Sequence, residues 1–222
     1  MCGRFSLATD QTILQEHFEF LIHEELEYRY NIAPSQDILV VGSNGKDRVG
    51  TKMRWGLVPP WAKDTKIGYK MINARAESLD EKISFNRPFQ SQRCLILCDG
   101  FYEWKKEGNM KQPYRFMMKN NKPFAFAGLW ERWDKGDKPL FTCTIITTKP
   151  NELLEEVHDR MPVILPEDKY DEWIDRNQTS YNDLKSLLVP YQANLMDCYP
   201  VSSLVNSPKN ESKECIVNIN SL

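Results

Sequence analysis

No stretch of this 222-residue chain is apolar for long enough to cross a bilayer, and no apolar leader segment follows the first residues. A soluble, cytoplasmic protein is expected. Neither a glycine-rich phosphate loop nor a Ser-His-Asp signature is present, which removes the usual signals of nucleotide-dependent and serine-hydrolase chemistry. Histidine is scarce, with three residues in all. His17 and His23 have no partner at metal-ligand spacing and read as ordinary helix or loop residues. Charge of one sign is lacking too. The formal net charge is −2, so nothing global draws the chain to nucleic acid, and any such binding must come from a local basic patch. Linker-like and low-complexity tracts are absent, and one domain over residues 1–222 is expected.

Six cysteines are present, Cys2, Cys94, Cys98, Cys143, Cys198 and Cys215. Without a secretion signal they read as reduced thiols. Cys94 and Cys98 lie four apart on one apolar strand with no second pair elsewhere, so buried structural thiols are favoured over a zinc site. No metal and no cofactor is expected.

What is present begins with Met1-Cys2-Gly3-Arg4-Phe5. Initiator methionine is commonly removed before a small side chain, which would leave Cys2 with a free α-amine beside its thiol. Such a 1,2-aminothiol reacts with an aldehyde twice: the amine forms an imine, and the sulfur then closes a thiazolidine ring. The amine titrates near ~8 and the thiol near ~8.5, so a modest environmental push is expected to bring reactive forms within reach at neutral pH. The plainer reading is a cysteine on a loose terminus. Gly3, which permits close approach, and Arg4, a fixed cation, weigh toward a site.

Along the chain, Thr9 or Asp10 predicts a helix cap, with a helix through about Phe20 placing Ile13, Leu14, His17, Phe18 and Leu21 on one face. Ala33-Pro34 predicts an extended loop. Residues 37–41 and 49–55 read as a hairpin about Asn44-Gly45. Two prolines beside Trp55 and Trp61 make a stiff aromatic loop, fit to cap a core or to stack on a base. Residues 93–98 read as a buried strand, 101–105 as the next, and 114–118, 124–129 and 141–148 as three more. Asn151 caps a short helix ending near His158, strands follow at 161–165 and near 199–201, and helices lie near 168–176 and 180–188.

The residues left with chemical capability are Cys2, Asn73, Glu103 and His158. Glu103, flanked by aromatics, should have a raised pKa through desolvation, which suits a proton shuttle. A surface salt bridge to Lys105 or Arg75 is the alternative. His158 is either part of a site or a satisfied helix-terminal histidine.

Six segments taken together carry a resemblance: residues 1–5, Tyr30-Asn31-Ile32-Ala33-Pro34, Arg54-Trp55-Gly56-Leu57-Val58-Pro59, Ile72-Asn73-Ala74-Arg75-Ala76-Glu77, Cys98-Asp99-Gly100-Phe101-Tyr102-Glu103-Trp104 and His158-Asp159-Arg160-Met161-Pro162. In order and over essentially the whole chain they resemble the SRAP (SOS response-associated peptidase) family. The resemblance implies a single α+β domain on an antiparallel, β-barrel-like core flanked by helices. It implies a covalent cross-link to abasic sites in single-stranded DNA, shielding the lesion. A monomer is expected, with no membrane and no metal partner. Cys2 resembles the nucleophile, Asn73 the residue that positions the N-terminus, and Glu103 the acid–base group. His158 resembles the residue that assists sugar opening. Arg4, Arg75 and Arg160 resemble phosphate contacts, Pro34 and Trp61 platforms beside splayed bases, and Thr147 a further DNA contact. Some members carry a second aromatic after the loop tryptophan, where this chain has Ala62, which predicts weaker stacking there. The peptidase label implies release of whatever precedes Cys2. Two other classes stand beside this reading. One is an amidotransferase-like cysteine amidohydrolase or peptidase, for which Asn44-Gly45 looks like a mere hairpin turn. The other is a non-catalytic single-strand binder.

Overall fold

The run Arg93–Cys98 is buried at every position, and a strand with no solvated face must be covered on both sides. In the computed structural model, which describes residues 2–221, that strand belongs to a closed barrel. In chain order the strands are β1 (Phe5–Leu7), β2 (Phe20–Leu21), β3 (Arg29–Ile32), β4 (Asp37–Ser43), β5 (Arg48–Trp55), β6 (Asn73–Arg75) and β7 (Arg93–Cys98). They continue with β8 (Gly100–Glu107), β9 (Met110–Met118), β10 (Phe124–Trp133), β11 (Leu140–Thr148), β12 (Met161–Pro162), β13 (Ile164–Leu165) and β14 (Met196–Pro200). Strands β5, β4, β7, β10 and β11 pair in that order, and β11 returns to β5. Four seams are antiparallel. The closing seam, Thr142 opposite Arg54 and Cys143 opposite Trp55, is parallel. Closure removes the free edges that would otherwise invite pairing with another chain. The expected α+β fold on a barrel-like core is thus found, with one parallel closure that strand patterning did not predict.

A second sheet, ordered β14-β9-β8-β1-β3, is antiparallel. Its bolt to the barrel is aromatic. Phe126 of β10 meets Phe5 of β1 and Phe101 of β8 edge-on, with centroids 5.9 and 5.8 Å apart. Each such side chain contributes about 2–3 kcal/mol through burial. Phe5 therefore seats the first strand, and with it the residues just before, against the barrel.

The helices are shorter than the sequence predicts. Asp10 does cap α1 (Gln11–Phe18), its carboxylate accepting the Thr12 N–H at 2.8 Å. The helix stops at Phe18 because Glu19 turns left-handed (φ 51°) and Phe20–Leu21 join the sheet as β2. Ile13 and Leu21 are exposed, so the buried face narrows to Leu14 and Phe18. A helix over Ile83–Ser91, α2, occupies a stretch where no element is predicted; Pro88 inside it masks the signal. Helices α3 (Tyr170–Ile174) and α4 (Tyr181–Ser186) sit inside the two expected spans. Residues 152–157 form hydrogen-bonded turns rather than a helix, although Asn151 Oδ1 accepts the Leu154 N–H at 3.0 Å as a cap would. Buried Arg93 ties these pieces to the barrel by donating to the carbonyls of Phe89, Gln90, Trp173, Asp175 and Gln178. Among the described residues no helix is long and apolar enough to cross a membrane.

Candidate active site

The antiparallel register of β1 on β8 sets Phe5 against Phe101 and Ser6 against Gly100. One step further, the Tyr102 N–H donates to the Arg4 carbonyl at 3.0 Å. That alignment carries Cys2 toward Glu103. Cys2 is fully buried. Burial, and then the charge of Glu103, push its thiol well above the ordinary range, opposed by the Arg4 backbone N–H. The modest push toward thiolate expected from sequence is therefore corrected: low dielectric and a neighbouring carboxylate both disfavour the anion.

Glu103 is 3% exposed. Burial pushes its carboxyl up to about 8, and the charge of Asp159 adds to the rise. The surface salt bridge does not form, and Lys105 lies 3.6 Å from Glu156 instead. Facing Glu103 is His158, its Nε2 3.9 Å from Oε2. Burial holds the imidazole below its ordinary range, while Asp159, with Oδ1 3.0 Å from Nδ1, pulls the other way. The Arg160 backbone N–H donates to the same Nδ1 at 3.0 Å.

Arg160 extends the cluster to the barrel. Its Nη1 and Nη2 donate to Glu77 Oε1 and Oε2 at 2.7 and 2.9 Å, and Nη2 also donates to the Thr147 carbonyl at 2.7 Å. Thr147 itself is 1% exposed, with its hydroxyl 3.3 Å from Nη2; its side chain braces Arg160 rather than facing outward. In register with Thr147 on β6 is Arg75, which is exposed and whose side chain has no hydrogen bond or ion pair among the described residues. Two positions earlier, Asn73 donates to the Ile72 carbonyl at 3.0 Å. Its buried Oδ1 has no hydrogen-bond partner among the described residues, leaving an acceptor available for an N–H.

Arg4 does not join this group. Its Nη1 donates to Asn31 Oδ1 at 2.8 Å and to the Val205 carbonyl at 2.5 Å, and its guanidinium lies 5.9 Å from the Trp104 ring centre. Asn31 also donates to the Val205, Ser207 and Asn210 carbonyls. Nη1 of Arg4 thus helps hold the segment at Val205, while its buried Nε has no hydrogen-bond partner among the described residues. Pro34, half-buried, sits in the turn between β3 and β4. Trp61 is 51% exposed, whereas Ala62 after it is buried and accepts the Trp133 indole N–H at 2.9 Å. An outward aromatic at position 62 has no place in this loop. Nearby in sequence, Tyr69 is 61% exposed with Arg54 5.7 Å over its ring, an aromatic–cation pair that sequence reasoning missed. Asp159 and Glu77 were missed also, although both lie inside the quoted motifs.

Cys94, Cys98 and Cys143 are buried on barrel strands, and all six cysteines are free thiols. Asn44-Gly45 forms the hairpin turn, with Gly45 at φ 95°. Met1 lies outside the described residues, so its expected removal is not addressed by the fold.

A family model described as SOS response associated peptidase (SRAP) matches residues 1–208. The chain is 54% identical over 221 residues to the abasic site processing protein YoqW of Bacillus subtilis (strain 168), covering 97% of this chain and 99% of that one. It is 35% identical over 202 residues to the abasic site processing protein HMCES of Gallus gallus, covering 80% of this chain and 60% of that protein. A crystal structure of a protein from Bacteroides thetaiotaomicron superposes with a TM-score of 0.86 at 26% identity, covering 98% of this chain and 99% of that one.

Proposed function

The chain belongs to the SOS response-associated peptidase (SRAP) family, and from that premise we propose that it processes abasic sites in DNA by cross-linking to them through Cys2. The observation that carries the proposal is a buried Glu103 poised near neutral pH between the Cys2 thiol and the His158 imidazole. An abasic sugar is in equilibrium with an open-chain aldehyde, the electrophile a 1,2-aminothiol traps. His158, held neutral by burial with Nδ1 taken up by the Arg160 N–H, is suited to donate from Nε2–H to the ring oxygen as the sugar opens.

The Cys2 amine then adds to the aldehyde carbon. Its proton passes to Glu103, whose pKa of about 8 is level with that of an α-amine, so the transfer is nearly balanced. Protonated Glu103 returns a proton to the departing hydroxyl, water leaves, and an imine forms. The sulfur adds to the imine carbon, its proton ends on nitrogen, and a thiazolidine closes. Because burial suppresses the thiolate, the sulfur reacts as its proton is removed, which places Glu103 in both steps. Asn73 Oδ1 is suited to hold the amine by accepting one of its N–H bonds.

For a single-stranded substrate, Arg75 and Arg160 would contact phosphate and Trp61, with Pro34, would border splayed bases. Use of the amine requires release of Met1. We include in the proposal that the same thiol performs it by N-to-S acyl shift and hydrolysis, as the family's peptidase description suggests. The test is intact mass of the protein after incubation with single-stranded DNA carrying one abasic site. The expected species lacks Met1 and carries the oligonucleotide less one water. An adduct on protein that retains Met1 would end the thiazolidine mechanism.

A further inference from the structure

Glu77 is the last residue of the Asn73–Glu77 motif, and its carboxylate grips both terminal nitrogens of Arg160. Stability alone is a weak reason for the pair. The Glu77 side chain is 56% exposed, and exposed ion pairs contribute little. Geometry offers a better one. The guanidinium is held from two sides, by the carbonyl of buried Thr147 on β11 and by Glu77 at the end of the β6 segment. A bidentate fork fixes the plane of the group as well as its place. With the side chain fixed, the backbone of residue 160 is fixed, and that backbone N–H addresses His158 Nδ1.

The Nδ1 position is contested. A donor, the Arg160 N–H, and an acceptor, Asp159 Oδ1, each lie 3.0 Å from it, and the Arg160 carbonyl lies at 3.3 Å. The donor requires a lone pair on Nδ1 and so places the ring proton of neutral His158 on Nε2, facing Glu103. The two acceptors favour the opposite tautomer or the imidazolium. Which arrangement holds depends on how firmly residue 160 presents its N–H.

We propose that Glu77 is a positioning residue: by anchoring Arg160 it holds the N–H that keeps His158 neutral, with Nδ1 as acceptor and Nε2–H turned to Glu103. Arg160 is also what holds the Glu77 carboxyl below the usual range, so the anchor stays ionised wherever the site works. Among the described residues the charged and titratable groups around the imidazole are Glu103, Asp159 and Arg160, with the chain's terminal amine also holding the ring down, and around Glu77 they are Arg160 and Arg75. This inference rests on the cross-linking reading for its kinetic arm only.

The experiment compares wild type, Glu77→Gln and Glu77→Ala in two measurements. Ring 15N shifts of His158 across pH report tautomer and titration without any substrate. Wild type should show an Nε2–H tautomer. Glu77→Ala should move toward Nδ1–H and titrate at higher pH, as Asp159 gains control of the ring. Glu77→Gln, which keeps one acceptor for the guanidinium, should fall between. The second measurement is the ratio of cross-linking rates on a closed-ring abasic site and on a simple aldehyde. That ratio should fall about tenfold in Glu77→Ala, a fraction of what a positioned proton donor contributes. Unchanged 15N shifts in folded Glu77→Ala overturn the positioning role, even if the rate falls. Altered shifts in Glu77→Ala, beside a wild type that forms no cross-link, retain the positioning role and reject the cross-linking function instead.

Discussion

His158 Nε2 stands 3.9 Å from Glu103 Oε2, and burial displaces the two groups in opposite directions, the carboxyl up to about 8 and the imidazole below its ordinary range. Near pH 7 the imidazole is therefore uncharged, and the carboxyl lies close enough to its own pKa to take a proton and return it. Desolvation achieves this, since burial takes from each group the hydration that its charged form prefers. A donor and an acceptor of protons then flank the one buried thiol whose chemistry needs both.

Separate removal of nucleophile and helper should give different defects. Cys2→Ser keeps an amine but has a poor ring-closing group, so it should form a borohydride-trappable imine that is lost on heating. Glu103→Gln should form heat-stable adduct slowly, by about 10²-fold, and recover partly as pH rises and the amine deprotonates unaided. A heat-denatured gel time course at two pH values reads both. Wild-type yield of heat-stable adduct from Cys2→Ser would remove Cys2 from the site.

Glu103 should also make the fold's stability fall with pH. Its folded pKa of about 8 exceeds the unfolded carboxylate value near ~4.3. Below the unfolded value both states hold the proton and there is no penalty. Between about 4.3 and 8 only the folded state holds it, so stability declines across that window and levels off above it. Glu103→Gln should match wild type in melting temperature at pH 4 and exceed it at pH 8. A constant difference at both pH values would mean that Glu103 is not displaced as burial requires.

Arg75 and Arg4 are expected to part company in salt titrations. The side chain of Arg75 is exposed and free of hydrogen bonds and ion pairs among the described residues. Arg75→Ala should reduce the slope of log affinity for single strands against log salt by about 0.7, one phosphate's worth. Arg4→Ala should leave the slope alone and lower stability by about 1–3 kcal/mol, since Asn31 Oδ1 loses this donor and the Val205 carbonyl is left with Asn31 alone. Equal slope changes in the two variants would return Arg4 to the DNA groove.

Gly100 should not tolerate a side chain. A Cβ there would lie 2.5 Å from Arg115 Nε and 2.6 Å from its Cζ. The guanidinium cannot move aside, because it is buried and donates to Asp99 Oδ1 at 3.0 Å and to Tyr199 Oη at 2.9 Å. Gly100→Ala should cost about 3 kcal/mol in thermal unfolding. A loss under about 0.5 kcal/mol would show that Arg115 has room to yield.

Local chemistry was legible in the sequence wherever a residue's fate depends on its neighbours along the chain. Asp10 was one of two candidate caps, the turn at Asn44-Gly45 was marked by its own residues, and Glu103 among aromatics pointed to lost solvent. The resemblance carried by six motifs likewise pointed to the family and its fold. Other outcomes are contests between distant partners, and these only the tertiary structure decided. Arg4 and Arg75 are both arginines in quoted motifs, yet one donates to a carbonyl 201 residues away and the other is left exposed. The parallel seam of β11 on β5 closes the barrel across some ninety residues, and no strand's own pattern encodes its partner. The Cys2 thiol is ordinary in an open chain. It is suppressed here because β1, bolted by Phe5 to the barrel, carries it out of water and beside a carboxylate a hundred residues on, an environment that exists only once the fold is closed.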